Sequence, residues 1–197
     1  MEAEVKKPYI DFETKRLHIR SVVPEDNDVY MALRISNSPI SAVYATMPEF
    51  ADYEWNGELL SEDDIYLSVF QKRDGTFVAS ASIQHFKSSR IEFGYDVVKE
   101  YRNRGIATEI VNGLLAEVHR RFPEAVAIIR VGKENAISRR VAEKCGGVMI
   151  GNEDSFVDRL IKSNAENAQA RAGDLMSDDL MTALELGKDY VCIYEMP

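Results

Sequence analysis

Apolar and polar residues alternate along the chain with two periods, one of two residues and one near 3.6, and the switches between them mark out the elements. Arg16 to Val22 (RLHIRSV) sets Leu17, Ile19 and Ser21 against polar neighbours, the pattern of a half-buried strand. PEDNDVYMALRIS reads as a helix start, with Pro24 and acidic residues in its first turn and Val29 and Leu33 at helical spacing. From Asn37 to Asp64 the rhythm is lost, and two prolines, four aromatics and many acids predict a loop carrying one or two short helices. Asp64 to Phe86 (DIYLSVFQKRDGTFVASASIQHF) has the form of a hairpin turning at Asp74-Gly75, although Ile65, Val69 and Phe70 also fit the end of a helix.

SRIEFGYDV predicts another strand, with Ile91, Phe93, Tyr95 and Val97 on one face and Glu92, Gly94 and Asp96 on the other. A helix over about 106–122 carries the apolar stripe Ile106, Ile110, Val111, Leu114, Leu115 and Val118, and Pro123 closes it. AVAIIRV (Ala125 to Val131) is nearly continuous in apolar residues, as a central buried strand should be. NAISRRVAEKCGG predicts a second helix, capped by Asn135 and stopped by Gly146, and VMIG and YVCIYEM predict two final strands. Between those strands, 153–189 is polar and helix-prone, with a weak apolar rhythm at Leu160, Ile161, Leu175, Leu180, Met181 and Leu184. The order is mixed α/β, with strand-helix-strand-helix units in the second half.

The 197 residues suit a single domain, and 45% hydrophobic residues provide for one sizeable core. A net charge of -9 argues against non-specific binding to nucleic acid or to an acidic membrane, and mildly favours cationic partners; plain solubility is the simpler account of it. The two cysteines, Cys145 and Cys192, lack metal-ligand spacing, so neither a disulfide framework nor a metal site is expected and the reduced cytoplasm is the default. MEAEVKKPYIDFETKRL lacks the apolar core of a signal peptide, and no run approaches the ~18 apolar residues that read as a membrane span.

EYRNRGIATEI (Glu100 to Ile110) places two arginines at the start of a helix, where the helix dipole itself prefers negative charge. A strand, an arginine-rich turn and a helix N-terminus together form an arrangement that holds anions, because the first N–H groups of the helix point outward without partners. Gly105 would let a phosphate approach the chain, Ala107 is nearly as permissive, and Arg102 and Arg104 would add charge. The same pattern also describes an ordinary solvated turn. The absence of G-x-x-x-x-G-K-[ST] and of G-x-G-x-x-G disfavours a P-loop nucleotidase and a dinucleotide fold.

Arg102-Asn103-Arg104-Gly105-Ile106-Ala107 resembles the [Q/R]-x-x-G-x-[G/A] acetyl-CoA signature of the GNAT N-acetyltransferase superfamily. TKRLHIRSVVPED resembles the opening strand and helix of the branch that includes the ribosomal-protein N-terminal acetyltransferases. IEFGYDVVKEYRNRGIATEIV and VGKENAISRRVAEKCGGV resemble its central strand, its pyrophosphate helix and its N-x-x-S-x-x-x-x-E-K-x-G-F segment. The matches cover roughly 12–37 and 79–152 in the right order. The resemblance implies a GNAT fold: an α/β (α+β) domain whose mixed, mostly antiparallel sheet splays between two parallel central strands, with helices on both faces. It also implies one such domain over 1–197, with 153–189 as an unusual insert.

The implied reaction is acetyl transfer from acetyl-CoA to a primary amine, either a protein N-terminus or a small molecule. The implied cofactor contacts are the exposed backbone of Val97 and Val98 along the pantetheine arm, and the amides of Arg104, Gly105, Ile106, Ala107 and Thr108, with Arg102, around the pyrophosphate. Asn135 would lie near the pantetheine, or simply cap its helix, while Ser138 would protonate the leaving thiolate. Glu92 matches a position that often faces the acceptor amine and is the candidate base; a solvated strand carboxylate is the alternative. His85 is a weaker base candidate, and Arg139 and Arg140 suit a solvated helix face better than the CoA phosphates. The acceptor would enter over Asn37–Asp64, where Glu49, Asp52, Glu54 and Glu58 with Tyr44, Phe50, Tyr53 and Trp55 either hold a cationic amine or form an acidic loop with packed aromatics. Two departures stand out. Gly147 occupies the place of an aromatic, and Cys145, read as core, that of an aliphatic. A non-catalytic acyl-CoA-binding module and an interaction protein working through the insert are the rival readings, and homodimerisation is left open.

Overall fold

The branched and aromatic residues of period two build one eight-stranded sheet in the order β1-β2-β3-β4-β5-β6-β8-β7. This computed structural model describes residues 7–37, 48–153 and 191–197. Its strands are β1 (Asp11–Glu13), β2 (Leu17–Ser21), β3 (Ile65–Gln71), β4 (Phe77–Gln84), β5 (Arg90–Val97), β6 (Val126–Gly132), β7 (Val148–Glu153) and β8 (Val191–Glu195). The helices are α1 (Asn27–Asn37), α2 (Pro48–Leu60), α3 (Ile106–Arg121) and α4 (Ala136–Lys144). The GNAT architecture expected from the sequence is the one found. Residues 65–86 form a hairpin and contain no helix end. The Asp74-Gly75 turn lets Gly75 take a φ of 69°, which glycine adopts without strain.

Every neighbouring pair of strands is antiparallel except β5 and β6. These run parallel and pair only at Arg90↔Val126, Ile91↔Ala127 and Glu92↔Ile128. Beyond that point β5 follows β4 as far as Val97, while β6 follows β8 as far as Gly132. The sheet therefore opens into a V.

Helices cover both faces, which is why β4 is buried along nearly its whole length. On one face α3 turns its predicted stripe into the larger core, where Ile110, Val111, Leu114 and Val118 are fully buried with Leu67, Val69, Ile83 and Ile91. The other face is closed by a smaller cluster of Tyr30, Met31 and Trp55, packed against Tyr66 and Phe77 of the sheet. Trp55 and Glu58 stand three residues apart on one side of α2 and both point inward, so the region read as a loop with short helices contains a helix of 13 residues. Trp55 packs against Tyr30 with the rings tilted at 54° and 5.5 Å between centroids and serves as core, whereas Tyr53 is 76% exposed. Tyr44 and all of 153–189 except Glu153 lie outside the described residues.

The entry to α1 is held by a buried acid. Arg20 donates from both terminal nitrogens to Asp26 at 2.7 Å, and Ser68 Oγ (2.8 Å) and the Val23 amide (3.1 Å) donate to the same carboxylate. At Gly147 a Cβ would sit 2.8 Å from Met196 Sδ and 2.9 Å from the Ala142 carbonyl. The space that an aromatic would claim there is filled from β8's end by Met196, which is buried.

Candidate active site

Where the strands part, backbone groups are left unpaired. Val98 N–H donates to the Val78 carbonyl at 3.0 Å, which fixes the phase of the β4–β5 ladder. In an antiparallel ladder alternate residues bond to the same neighbour, so Glu92, Gly94 and Asp96 pair with β4. Tyr95 turns its N–H and C=O towards the gap and Val97 its N–H, while the Val97 carbonyl accepts from Arg102 Nε at 3.0 Å and the Phe93 N–H serves the last β5–β6 pair. Val98 does not share this edge, contrary to the expectation for it: its amide is spent on Val78, and its carbonyl accepts from Tyr101 N–H at 2.8 Å.

The V continues into a cleft of about 590 Å³ that ends at the N-terminus of α3. Val97, Arg102, Gly105, Ile106, Ala107, Thr108, Asn135 and Ser138, all anticipated from sequence, line it. The turn into α3 uses two left-handed residues, Asn103 (φ 59°) and Gly105 (φ 75°). Asparagine tolerates that conformation through local hydrogen bonding, and glycine adopts it freely. A Cβ on Gly105 would find only Arg16 Nη2, at 3.5 Å, so the glycine is required by its backbone angle and not by crowding. The first intrahelical bond described here, Glu109 N–H to the Gly105 carbonyl, leaves the amides of Ile106, Ala107 and Thr108 without a carbonyl four residues back in the helix. These three residues line the cleft, with the positive end of a helix of 16 residues behind them.

A brace on the outer side of α3 holds this end in place. Glu109 accepts from Thr14 Oγ1 (2.6 Å), from Arg16 N–H (2.7 Å) and from Arg16 Nε (2.6 Å), and Arg16 Nη1 donates to the Arg104 carbonyl at 2.9 Å. Burial pushes the Glu109 carboxyl upward, but these hydrogen bonds outweigh it and hold the group below its usual range.

The arginines of the signature are not aimed as expected. Arg104 lays its guanidinium over the Tyr101 ring, 5.4 Å from the centroid, and does not line the cleft. Arg102 lines the cleft but turns inward, donating from Nε to the Val97 carbonyl (3.0 Å) and from Nη2 to Asn37 Oδ1 (2.7 Å). The cations that sequence reading passed over or discounted here are Arg140 and Lys144, both on the cleft wall.

Asn135 caps α4, its side chain accepting from Ser138 N–H at 3.0 Å, and lines the cleft at the same time, so its two readings coincide. Arg139 is engaged with the Tyr194 hydroxyl (3.2 Å) and the Lys133 carbonyl (3.3 Å). Cys145 is buried, with its thiol pushed up by that burial, as befits a core residue. His85 lies just past the end of β4 in a left-handed turn (φ 57°), not on the strand; its N–H donates to Asp64 Oδ1 at 2.9 Å.

Glu92 is separate from this cleft. It sits on β5 at the last residue pair before the strands diverge, on the face opposite Phe93 and Tyr95, and is salt-bridged to Arg130 of β6. Tyr95, Asn37 and Tyr101 are cleft residues that sequence reading did not single out. The signal for Tyr95 was present, since it lies two positions before Val97 and so shares its edge.

The acetyltransferase (GNAT) domain family matches residues 16–148. Among solved structures, the chain is similar to RimL, a ribosomal-protein alpha-N-acetyltransferase in complex with coenzyme A, with a TM-score of 0.66 and 14% identity, covering 94% of this chain and 97% of that one. It is also similar to the ribosomal-protein-S5-alanine acetyltransferase of Vibrio fischeri (TM-score 0.58, 13% identity, 94% and 95% covered). A third likeness is to the spermidine/spermine N-acetyltransferase SpeG of Vibrio cholerae (0.62, 13%, 92% of each). No curated protein sequence matches the chain. At these identities the structural likeness speaks for the fold, and the family match speaks for the class of reaction. Together with the split sheet and the anion-ready helix end, they make this chain a member of the GNAT acetyltransferase family and an acyltransferase.

Proposed function

We propose that the protein transfers the acetyl group of acetyl-CoA to a primary amine by direct attack within a ternary complex. The observation that carries this reading is the open backbone edge of β5 at Tyr95 and at the Val97 N–H, which leads along the cleft to the amides of Ile106, Ala107 and Thr108 at the start of α3. An extended amide-bearing chain ending in a pyrophosphate fits both parts: its amides pair with a strand edge, and its phosphates meet a helix N-terminus. Bound there, acetyl-CoA supplies an activated acyl group as a thioester.

The residues of this chain then have defined tasks. The amides of the first turn of α3 hold the diphosphate, with Arg140 and Lys144 adding charge at the cleft wall. A backbone N–H on the open edge at Val97 polarises the thioester carbonyl. Ser138 gives its hydroxyl proton to the departing sulfur. Glu92, oriented by Arg130 at the point of divergence, receives the amine's proton through water. A base is needed because only the neutral amine attacks, and an α-amino group (pKa ~7.7–8.0) gives up its proton more readily than a lysine (~10.4).

RimL and the Vibrio fischeri enzyme are named for ribosomal proteins and SpeG for spermidine and spermine, so peptide N-termini and polyamines head the acceptor panel. Thiol release from acetyl-CoA in the presence of each acceptor tests the reading. Release with at least one amine is the expected result. Tight acetyl-CoA binding with no release from any acceptor would establish a non-catalytic acyl-CoA-binding module instead.

A further inference from the structure

One polar atom in the cleft has no role in that scheme. The Tyr95 hydroxyl oxygen is buried and lacks a hydrogen-bond partner, although Tyr95 lines the cleft beside Ser138. An unsatisfied buried hydroxyl costs free energy and needs a reason to be there. Tyr95 reaches the site because it alternates with Phe93 and Val97 along β5, on the face that meets α3 and α4. Burial raises its pKa, and Asp96 acts in the same direction; the Ser138 side chain is the group that opposes them. The Ser138 hydroxyl is thus close enough to act on the Tyr95 oxygen, while the two do not meet in hydrogen-bond geometry. The Ser138 amide is already committed to the Asn135 cap, so the backbone at this position is fixed and the side-chain rotor is the part left to turn.

We propose that Tyr95 is a positioning residue for the leaving-group acid: its O–H donates to Ser138 Oγ and thereby turns the Ser138 proton towards the CoA sulfur. The inference rests on the acetyl-transfer reading above. A lone serine hydroxyl points its proton wherever it finds an acceptor; one that already accepts from a neighbour has its own proton left over to donate. As the carbon–sulfur bond breaks, its electron pair stays on sulfur. The sulfur takes the Ser138 proton, and Ser138 Oγ is reprotonated through water by the proton that the acylated nitrogen must lose to become a neutral amide, while Tyr95 keeps its own proton and only orients Ser138. Atoms and charge balance without any further reactant.

The test needs no acceptor. The thiolate of CoA absorbs in the short-wavelength ultraviolet where the thiol does not, so the ionisation of CoA bound to the full chain can be followed with pH as a difference from the CoA-free protein. Donors at the sulfur favour the thiolate, so the bound thiol should ionise at lower pH in the wild type than in Tyr95→Phe or Ser138→Ala, by about half a pH unit or more. Because Tyr95 acts through Ser138, the double variant should titrate like Ser138→Ala alone. With an accepted amine, Tyr95→Phe should lower turnover about tenfold and add nothing to the loss in Ser138→Ala. Phenylalanine keeps the ring and removes an unpaired oxygen, so the melting temperature should hold or rise, which separates this role from a structural one. A Tyr95→Phe titration that overlays the wild type, or a double variant worse than Ser138→Ala, overturns the proposal. Failure of wild-type protein to bind CoA at all would instead bring down the reading on which it rests.

Discussion

Arg102 donates through Nε to the Val97 carbonyl at 3.0 Å and through Nη2 to Asn37 Oδ1 at 2.7 Å, tying the end of β5 to the end of α1. Asn37 in turn donates from Nδ2 to Asp96 Oδ1 at 3.1 Å. The first residue of the signature therefore acts as a clasp between two elements, beyond any charge it lends. Arg102→Lys keeps the charge but loses the planar fork that reaches both oxygens. It should lower stability by about 1–2 kcal/mol, seen in denaturant unfolding of the ligand-free protein. Unchanged unfolding and unchanged acetyl-CoA binding would mean that charge alone matters.

Gly105 tests the helix end. At φ 75° a side chain costs ~1–2 kcal/mol, and the strain relaxes by moving the amides of Ile106 and Ala107. Gly105→Ala is expected to lose about tenfold or more in acetyl-CoA affinity by calorimetry, since one misaligned charge-assisted hydrogen bond is worth ~1.5–3 kcal/mol. Full affinity would show that the first turn of α3 does not hold the diphosphate.

Glu109 sets an acid limit. Its carboxyl is held below the usual glutamate range in the folded chain, so it contributes stability above the unfolded-state value and loses that contribution as pH falls through the lower folded value. Glu109→Gln should therefore narrow its deficit against the wild type as pH drops from 6 to about 3, a window set by the ordinary glutamate range and the downward shift. Melting curves across that range check it; a deficit constant with pH would remove Glu109 as the titrating group.

Asp26 is a case of a buried carboxylate with every partner in place. Asp26→Ala leaves Arg20 and the buried Ser68 hydroxyl without their acceptor and should cost about 3–5 kcal/mol. Equilibrium unfolding measures it, and a cost below 1 kcal/mol would show that water replaces the carboxylate there.

The chain's patterning made the elements and their facing legible, because period-two and period-3.6 burial is a local property: the α3 stripe and the alternation Ile91, Phe93, Tyr95, Val97 both appear in the core as read. The glycine and small residues of the cleft were equally legible, since a left-handed turn before a helix leaves few choices at Gly105. Long side chains were not. Arg102 and Arg104 both stand in the signature turn, yet one clasps Asn37 and the other covers Tyr101, and such directions depend on partners distant in sequence. For Trp55 the sequence leaves an amine contact and a packed aromatic both open; its burial against Tyr30 selects the second, through the length of α2, which the scattered acids conceal. The resemblance puts Val98 beside Val97 on the cofactor's edge, but neighbouring strand residues point their amides in opposite directions and the Val98 amide goes to Val78.

The parallel seam between β5 and β6 is three residue pairs long, so this one sheet is mechanically two plates, of five strands and of three, sharing a short hinge at Arg90–Glu92. A gap of this kind has leverage. Any molecule bridging the free edge of β5 to the far wall becomes a strut between the plates, and its arrival stiffens strands it never touches. Amide protons of β6 and β8 are then a remote gauge of what occupies the V.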